Sequence, residues 1–123
     1  MKVTRLHQVA LHSSDFARTR AFYEDTLGAR HIATYDPPGL LFFDLSGVRL
    51  LFEDGAPRGL LYLWVDDIDA AYAELVAAGV AFENEPHLIF PDSKGEFGAA
   101  GEEEWMAFFR DPDDNQLALA TRR

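Results

Sequence analysis

Leu60-Leu61-Tyr62-Leu63-Trp64-Val65-Asp66-Asp67-Ile68 is the stretch on which the fold turns. The six apolar residues that open it, Leu60 to Val65, are rich in β-formers and read as a strand. The two aspartates supply N-cap chemistry, because a carboxylate oxygen accepts from the free N–H groups of a first helical turn. Ile68, Tyr72, Leu75 and Val76 then form a helical stripe, and Gly79 stands where a left-handed C-cap is wanted. The same grammar occurs earlier. Residues 3–12 read as a strand, Ser13-Ser14-Asp15 as a cap, and 16–27 as a helix carrying Phe16, Tyr23 and Leu27 and closed by Gly28. Setting Asp15 on Asp67 gives an offset of 67 − 15 = 52, and Phe16 then falls on Ile68. The two helices differ by one residue before their closing glycines. Strand-like stretches follow each helix, at 30–35, 40–45 and 48–53 in the first half and at 80–85, 105–110 and 116–121 in the second. Ser46-Gly47 and Asp111-Pro112-Asp113-Asp114-Asn115 supply the last turn of each half. The order is βαβββ twice. Neither unit closes a core alone, so one α+β domain of two packed modules is expected, at about 1–56 and 57–123.

Composition removes whole classes of function. A chain of 123 residues fits one domain and leaves no room for a second core. With 48% apolar residues against 26% charged, it can bury enough surface to fold. The absence of cysteine excludes disulfides, zinc ribbons and thiol catalysis. A net charge of −10 argues against nucleic acid, whose phosphates call for clustered Lys and Arg. The longest apolar run, Leu75 to Phe82, is eight residues, too short to span a bilayer. The start of the chain lacks the apolar core of a signal peptide. No membrane partner and a cytoplasmic location are the expectations.

Specific residues then carry a resemblance. Gln8-Val9-Ala10-Leu11, Asp15, Ala21-Phe22-Tyr23, Leu27-Gly28, Val65-Asp66-Asp67-Ile68-Asp69-Ala70-Ala71-Tyr72 and Phe109-Arg110-Asp111-Pro112-Asp113-Asp114-Asn115 occur in this order. Together they resemble the vicinal oxygen chelate superfamily, which includes glyoxalase I, bleomycin-resistance proteins and extradiol dioxygenases. The resemblance runs nearly end to end. It implies eight strands curled into one cup, helices outside, a small-molecule ligand on the concave face, and a homodimer. It does not choose a chemistry, because the superfamily hosts metal-dependent isomerases, lyases and dioxygenases beside metal-free binding proteins.

The resemblance also implies four metal-ligand positions, which fall here on Gln8, Leu51, Leu60 and Ala118. Only Gln8 can donate an oxygen, and a divalent cation needs several donors in one place. The inherited metal site is therefore expected to be degenerate, with Glu53 as the residue that would rebuild it. Cofactors are otherwise expected to be none. In the turn after Arg110, Asp114 stands where the family commonly has glycine, and aspartate tolerates the backbone such a turn requires.

Alternation fixes what else shares the concave face. Strand one presents Gln8, Ala10 and His12, with His7 on the opposite side. Its counterpart presents Leu60, Tyr62 and Trp64. With Phe109 in the core, Met106, Phe108 and Arg110 face the ligand, joined by Gln116, Arg49, Glu53, Glu83, Glu85 and His87. Such an aromatic and apolar face with few polar groups is the usual make-up of a small-molecule site. His87 and His12 are the acid/base candidates. Gln8 and Arg110 would orient ligand oxygens, and Tyr62, Trp64, Met106 and Phe108 would hold the body. Residues 90–104 have no counterpart in the first half, and would form either a lid beside His87 with Phe97 as its apolar contact or a solvated insert.

Two functions follow. One is a glyoxalase-like isomerase, lyase or epimerase working by acid/base chemistry. The alternative is a metal-free binding or sequestering protein of the bleomycin-resistance type, suited by its acidity to a cationic or planar ligand. Extradiol dioxygenase chemistry is set aside, since two histidines and a carboxylate must meet at iron.

Overall fold

The computed structural model describes residues 1–123 and resolves into two compact units, Met1–Gly59 with Asp111–Asn115, and Leu60–Arg110 with Gln116–Arg123. In the first unit, β1 (Gln8–His12) leads to α1 (Phe16–Arg20), then β2 (Arg30–Tyr35), β3 (Leu40–Leu45) and β4 (Val48–Glu53). Their sheet order is β1-β4-β3-β2. In the second unit, β5 (Leu60–Trp64) leads to α2 (Ile68–Ala77), β6 (His87–Pro91), β7 (Glu103–Arg110) and β8 (Gln116–Arg122), in the order β5-β8-β7-β6. In both sheets the first strand pairs parallel with the last and the remaining pairs are antiparallel. The βαβββ repeat and the α+β class are thus observed, with the eight strands hydrogen-bonded as two four-stranded sheets.

Both helices start where the aspartates place them. Asp15 accepts from the Arg18 N–H at 3.1 Å and Asp67 from the Ala70 N–H at 3.0 Å, caps worth about 1 kcal/mol each. The one-residue difference between the halves also has a structural counterpart. Beyond Arg20 the backbone widens into a π turn over Ala21–Thr26, and Leu27 donates to the Phe22 carbonyl, five residues back, at 3.0 Å. Such a turn absorbs an inserted residue without ending the helix.

Two expected strands shift. β1 begins at Gln8, and residues 3–7 lie outside it. Residues 80–85 form no strand beyond one bridge, Phe82 to Phe109, and the ladder with β7 runs from His87 to Pro91 instead. Two causes are visible. Pro86 has no N–H to give a ladder, and Phe82 is drawn into the core, its ring 4.7 Å from Tyr72 and 4.9 Å from Phe109.

Each unit buries one sheet face. In the first, Leu11, Leu41, Phe43, Leu50 and Phe52 close around Tyr23, whose ring lies 4.6 Å from that of Phe52. In the second, Ile68 and Leu75 of α2 are buried with Phe109, Leu117 and Leu119, and the helix packs on β7 and β8. Asp114 takes the left-handed backbone expected of it, with φ 65°.

Candidate functional site

The other face of each sheet carries the candidate residues. On the second sheet, Tyr62, Ala118 and Phe108 stand in one row across β5, β8 and β7, and Trp64, Ala120, Met106 and His87 in the next. Residues opposite one another in a ladder share a face. Strands two apart lie about 9.5 Å from each other, yet the Tyr62 and Phe108 rings meet at 6.3 Å and 82°. They lean toward each other over β8, where Ala118 offers only a methyl group and is wholly buried. Tyr62 and Trp64 remain 56% and 61% exposed, which for rings of this size is unpaired apolar surface on a strand that otherwise alternates cleanly. Trp64 Nε1 donates to Asp66 Oδ1 at 2.9 Å, fixing the indole. His87 lies 6.2 Å from the Phe108 ring. At the far end of the face, Glu83 accepts from Gln116 at 3.4 Å and lies 3.6 Å from Arg110.

On the first sheet, Gln8 and Arg49 are register partners, as are Ala10 and Leu51, and His12 and Glu53. Arg49 Nε donates to Gln8 Oε1 at 3.0 Å, and its Nη2 to His7 Nε2 at 3.0 Å. The guanidinium carbon sits 5.9 Å from the Phe42 ring centre. His7 thus precedes β1 and reaches Arg49, rather than turning to the opposite side as alternation suggests. His12 Nδ1 lies 2.8 Å from the Asp54 carbonyl and His87 Nδ1 3.1 Å from the Glu85 carbonyl. A carbonyl only accepts, so each ring carries its proton on Nδ1 and, when neutral, leaves the Nε2 lone pair available. His12 donates this bond to the Asp54 backbone carbonyl and not to Glu53 beside it.

The four inherited ligand positions do not fit a divalent cation. Gln8 Oε1 is engaged by a guanidinium, Leu51 is a buried hydrocarbon, and Leu60 and Ala118 carry no donor atom. Glu53 has only His12 beside it as a further donor in its row, and no group of three or more His, Asp or Glu side chains is placed to hold a metal ion.

A buried polar network supports the first sheet near His12; the sequence offered Asp111–Asn115 as a turn, Ser14 as part of a cap and Tyr23 as one point of a helical stripe, with nothing to join them. Asn115 Nδ2 donates to the His12 carbonyl at 2.8 Å and to Asp111 Oδ2 at 2.8 Å, while its Oδ1 accepts from the Gly59 N–H at 3.0 Å. Asp113 accepts from the Ser14 hydroxyl at 2.6 Å and from Arg18 at 3.0 Å. Burial pulls the Asp113 carboxyl upward, but the Ser14 hydrogen bonds and the charges of Arg18 and His12 outweigh it and hold it below the usual carboxylate value. Tyr23 donates to Asp111 Oδ2 at 2.8 Å. Burial first, and the Asp111 carboxylate second, push its phenol far above the ordinary value, so it stays a donor.

The long connection after β6 is clasped. Arg122, little exposed, reaches Asp92 at 2.7 Å, Glu102 at 3.2 Å and Glu104 at 3.3 Å. Asp92 also accepts from the Glu96 and Phe97 N–H groups at 2.9 and 3.0 Å. The Phe97 ring rests 5.3 Å from that of Phe90 and stays exposed, so its aromatic contact is Phe90 rather than His87.

Comparison with known proteins follows the same lines. The sequence model of the Glyoxalase/Bleomycin resistance protein/Dioxygenase superfamily matches residues 5–119. The uncharacterized protein YraH of Bacillus subtilis (strain 168) is 26% identical, over 94% of this chain and 96% of its own length. Lactoylglutathione lyase from Agrobacterium tumefaciens superposes with a TM-score of 0.76 at 20% identity, covering 98% of this chain and 95% of that one, a likeness of fold alone. TnmS3, an antibiotic-binding protein from Streptomyces sp. CB03234, superposes with a TM-score of 0.70 at 25% identity, covering 97% and 96%.

Proposed function

Because this chain belongs to the Glyoxalase/Bleomycin resistance protein/Dioxygenase superfamily, we propose that it is a small-molecule binding protein that receives a planar ligand on the second sheet. One observation carries this reading: Tyr62 and Trp64 stand exposed on one strand, with Phe108 beside them, over the alanines of β8. A flat ring laid on this surface removes apolar area from water and stacks on rings whose tilt is already set. Covering one large aromatic side chain is worth about 1.5–3 kcal/mol, or roughly tenfold to a hundredfold in affinity. The antibiotic-binding neighbour TnmS3 supports binding as the activity. The poor fit of the inherited positions to a divalent cation supports it as well. A net charge of −10 favours encounter with a cationic ligand.

Titration with proflavine, a planar cation, tests the reading by fluorescence. Micromolar binding is expected, weakened about tenfold or more in Trp64→Ala and in Tyr62→Ala. Binding that ignores both substitutions would overturn it. So would a Trp64→Ala protein that binds normally but changes from dimer to monomer, since a second copy of the chain would then be what covers these rings.

A second reading is favoured by the histidines. His12 and His87 each hold Nδ1 against a backbone carbonyl and offer Nε2 as a base, the arrangement needed for proton transfer in an isomerase or lyase. Product formation from a 2-hydroxy- or 2-oxo-compound, abolished by His87→Gln or His12→Gln, would favour it over simple binding.

A further inference from the structure

We propose that Arg49 is an anion-binding point for the carboxylate of a small organic acid, with the body of the acid lying over Phe42 and Ala10. This is a second binding function, carried by residues of the first sheet, and it stands on the pairing and burial of the arginines. In a chain of net charge −10, Arg18, Arg20, Arg30, Arg110, Arg122 and Arg123 each pair with a carboxylate. Arg5, Arg49 and Arg58 pair with none, but Arg5 and Arg58 are exposed and lie outside the strands, whereas Arg49 is half-buried in mid-sheet. The carboxylate that could neutralise it is Asp44, its register partner on β3. That group is turned elsewhere, accepting from the Gly47 N–H at 3.2 Å and lying 3.4 Å from Arg30.

What holds Arg49 instead is neutral. Gln8 Oε1 and His7 Nε2 each take one N–H, and Phe42 lies beneath the guanidinium. Five N–H donors minus these two leaves three, fixed in a planar fork whose geometry matches a carboxylate. The bond to Oε1 also sets the Gln8 amide, so that its NH2 is left as a further donor beside the fork. Two neutral acceptors therefore orient the cation without cancelling it. The neighbouring row is apolar: Ala10, Leu51 and Phe42 are register partners across β1, β4 and β3. An acid with its carboxylate on Arg49 thus meets hydrocarbon at its next carbons. Two residues further along each strand, about 7 Å away, stand His12 and Glu53, where a polar far end could bond.

Hexanoate and its neutral isostere hexanamide test this, with the Nε–H resonance of Arg49 as the reporter. Hexanoate is expected to shift that resonance and to bind about tenfold or more tightly than hexanamide, an advantage lost in Arg49→Gln. Gln8→Glu provides a second variant, because a carboxylate placed beside Arg49 pairs with it internally and should abolish the same advantage while keeping β1 tied to β4. Equal binding of acid and amide, or hexanoate binding undiminished in either variant, would overturn the proposal. Neither probe is aromatic and neither variant touches Trp64, so the result is independent of the proflavine experiment.

Discussion

Tyr23 is a core residue with a polar task. Its ring fills the space between Phe43 and Phe52 while its hydroxyl ties Asp111, 88 positions away in sequence. Replacement by Phe keeps the ring and removes one buried hydrogen bond. Asp111 Oδ2 retains its bond from Asn115, so the expected loss is at the low end for such bonds, about 1 kcal/mol by urea denaturation at pH 7. The pH dependence has a definite sign. The folded phenol is raised above its unfolded value of about 10. Its contribution is therefore complete below pH 10 and declines as pH rises beyond it, because only the unfolded state can then release the proton. Wild type should lose stability above pH 10 more steeply than Tyr23→Phe, and matching alkaline limbs would refute this. Tyr23 was legible in the sequence as one point of a helical stripe. Its partner was not, because no local pattern links residue 23 to residue 111.

Among the elements, legibility followed the range of the interactions that build each one. The caps at Asp15 and Asp67 act within three residues, and both helices start where the sequence places them. Face assignment on β7 needed only alternation from Phe109: Phe109 and Ala107 are buried, while Met106 and Phe108 lie on the other side. The strand expected at residues 80–85 failed because Phe82 serves the core beneath Tyr72, a choice made by tertiary contact. The Arg49 cluster was equally hidden, since Gln8 and Arg49 are 41 positions apart and meet only through the parallel pairing of β1 with β4. The connection after β6 shows the same dependence. Its conformation is fixed by Arg122, beyond its own ends. Removing that clasp in Arg122→Met should loosen the backbone around Lys94, which is already exposed, and trypsin cleavage there should rise by at least about tenfold, in keeping with loss of several charge-assisted bonds. Unchanged cleavage would mean that the backbone bonds from Asp92 suffice.

At the scale of the molecule, the compact units add an exchange that the internal repeat does not contain. The repeat suggests a division near residue 56, yet Asp111–Asn115 belong with the first unit although the strands on either side belong with the second. Cut at residue 59, the first fragment loses the acceptors of Ser14, Arg18 and Tyr23 and the donor to the His12 carbonyl. Residues 1–59 alone should therefore lack a cooperative thermal transition, and mixing with residues 60–123 should restore one; a stably folded first fragment would refute this. The same five-residue turn bears on how the protein is made. Its bonds to the first unit join positions as far apart as 103 residues, so β1 to β4 can pair during synthesis but cannot complete their buried network until Asn115 has left the ribosome. At roughly 5–20 residues per second, that leaves the nascent first half waiting several seconds with Tyr23 unpartnered, an interval in which a chaperone would find its surface open.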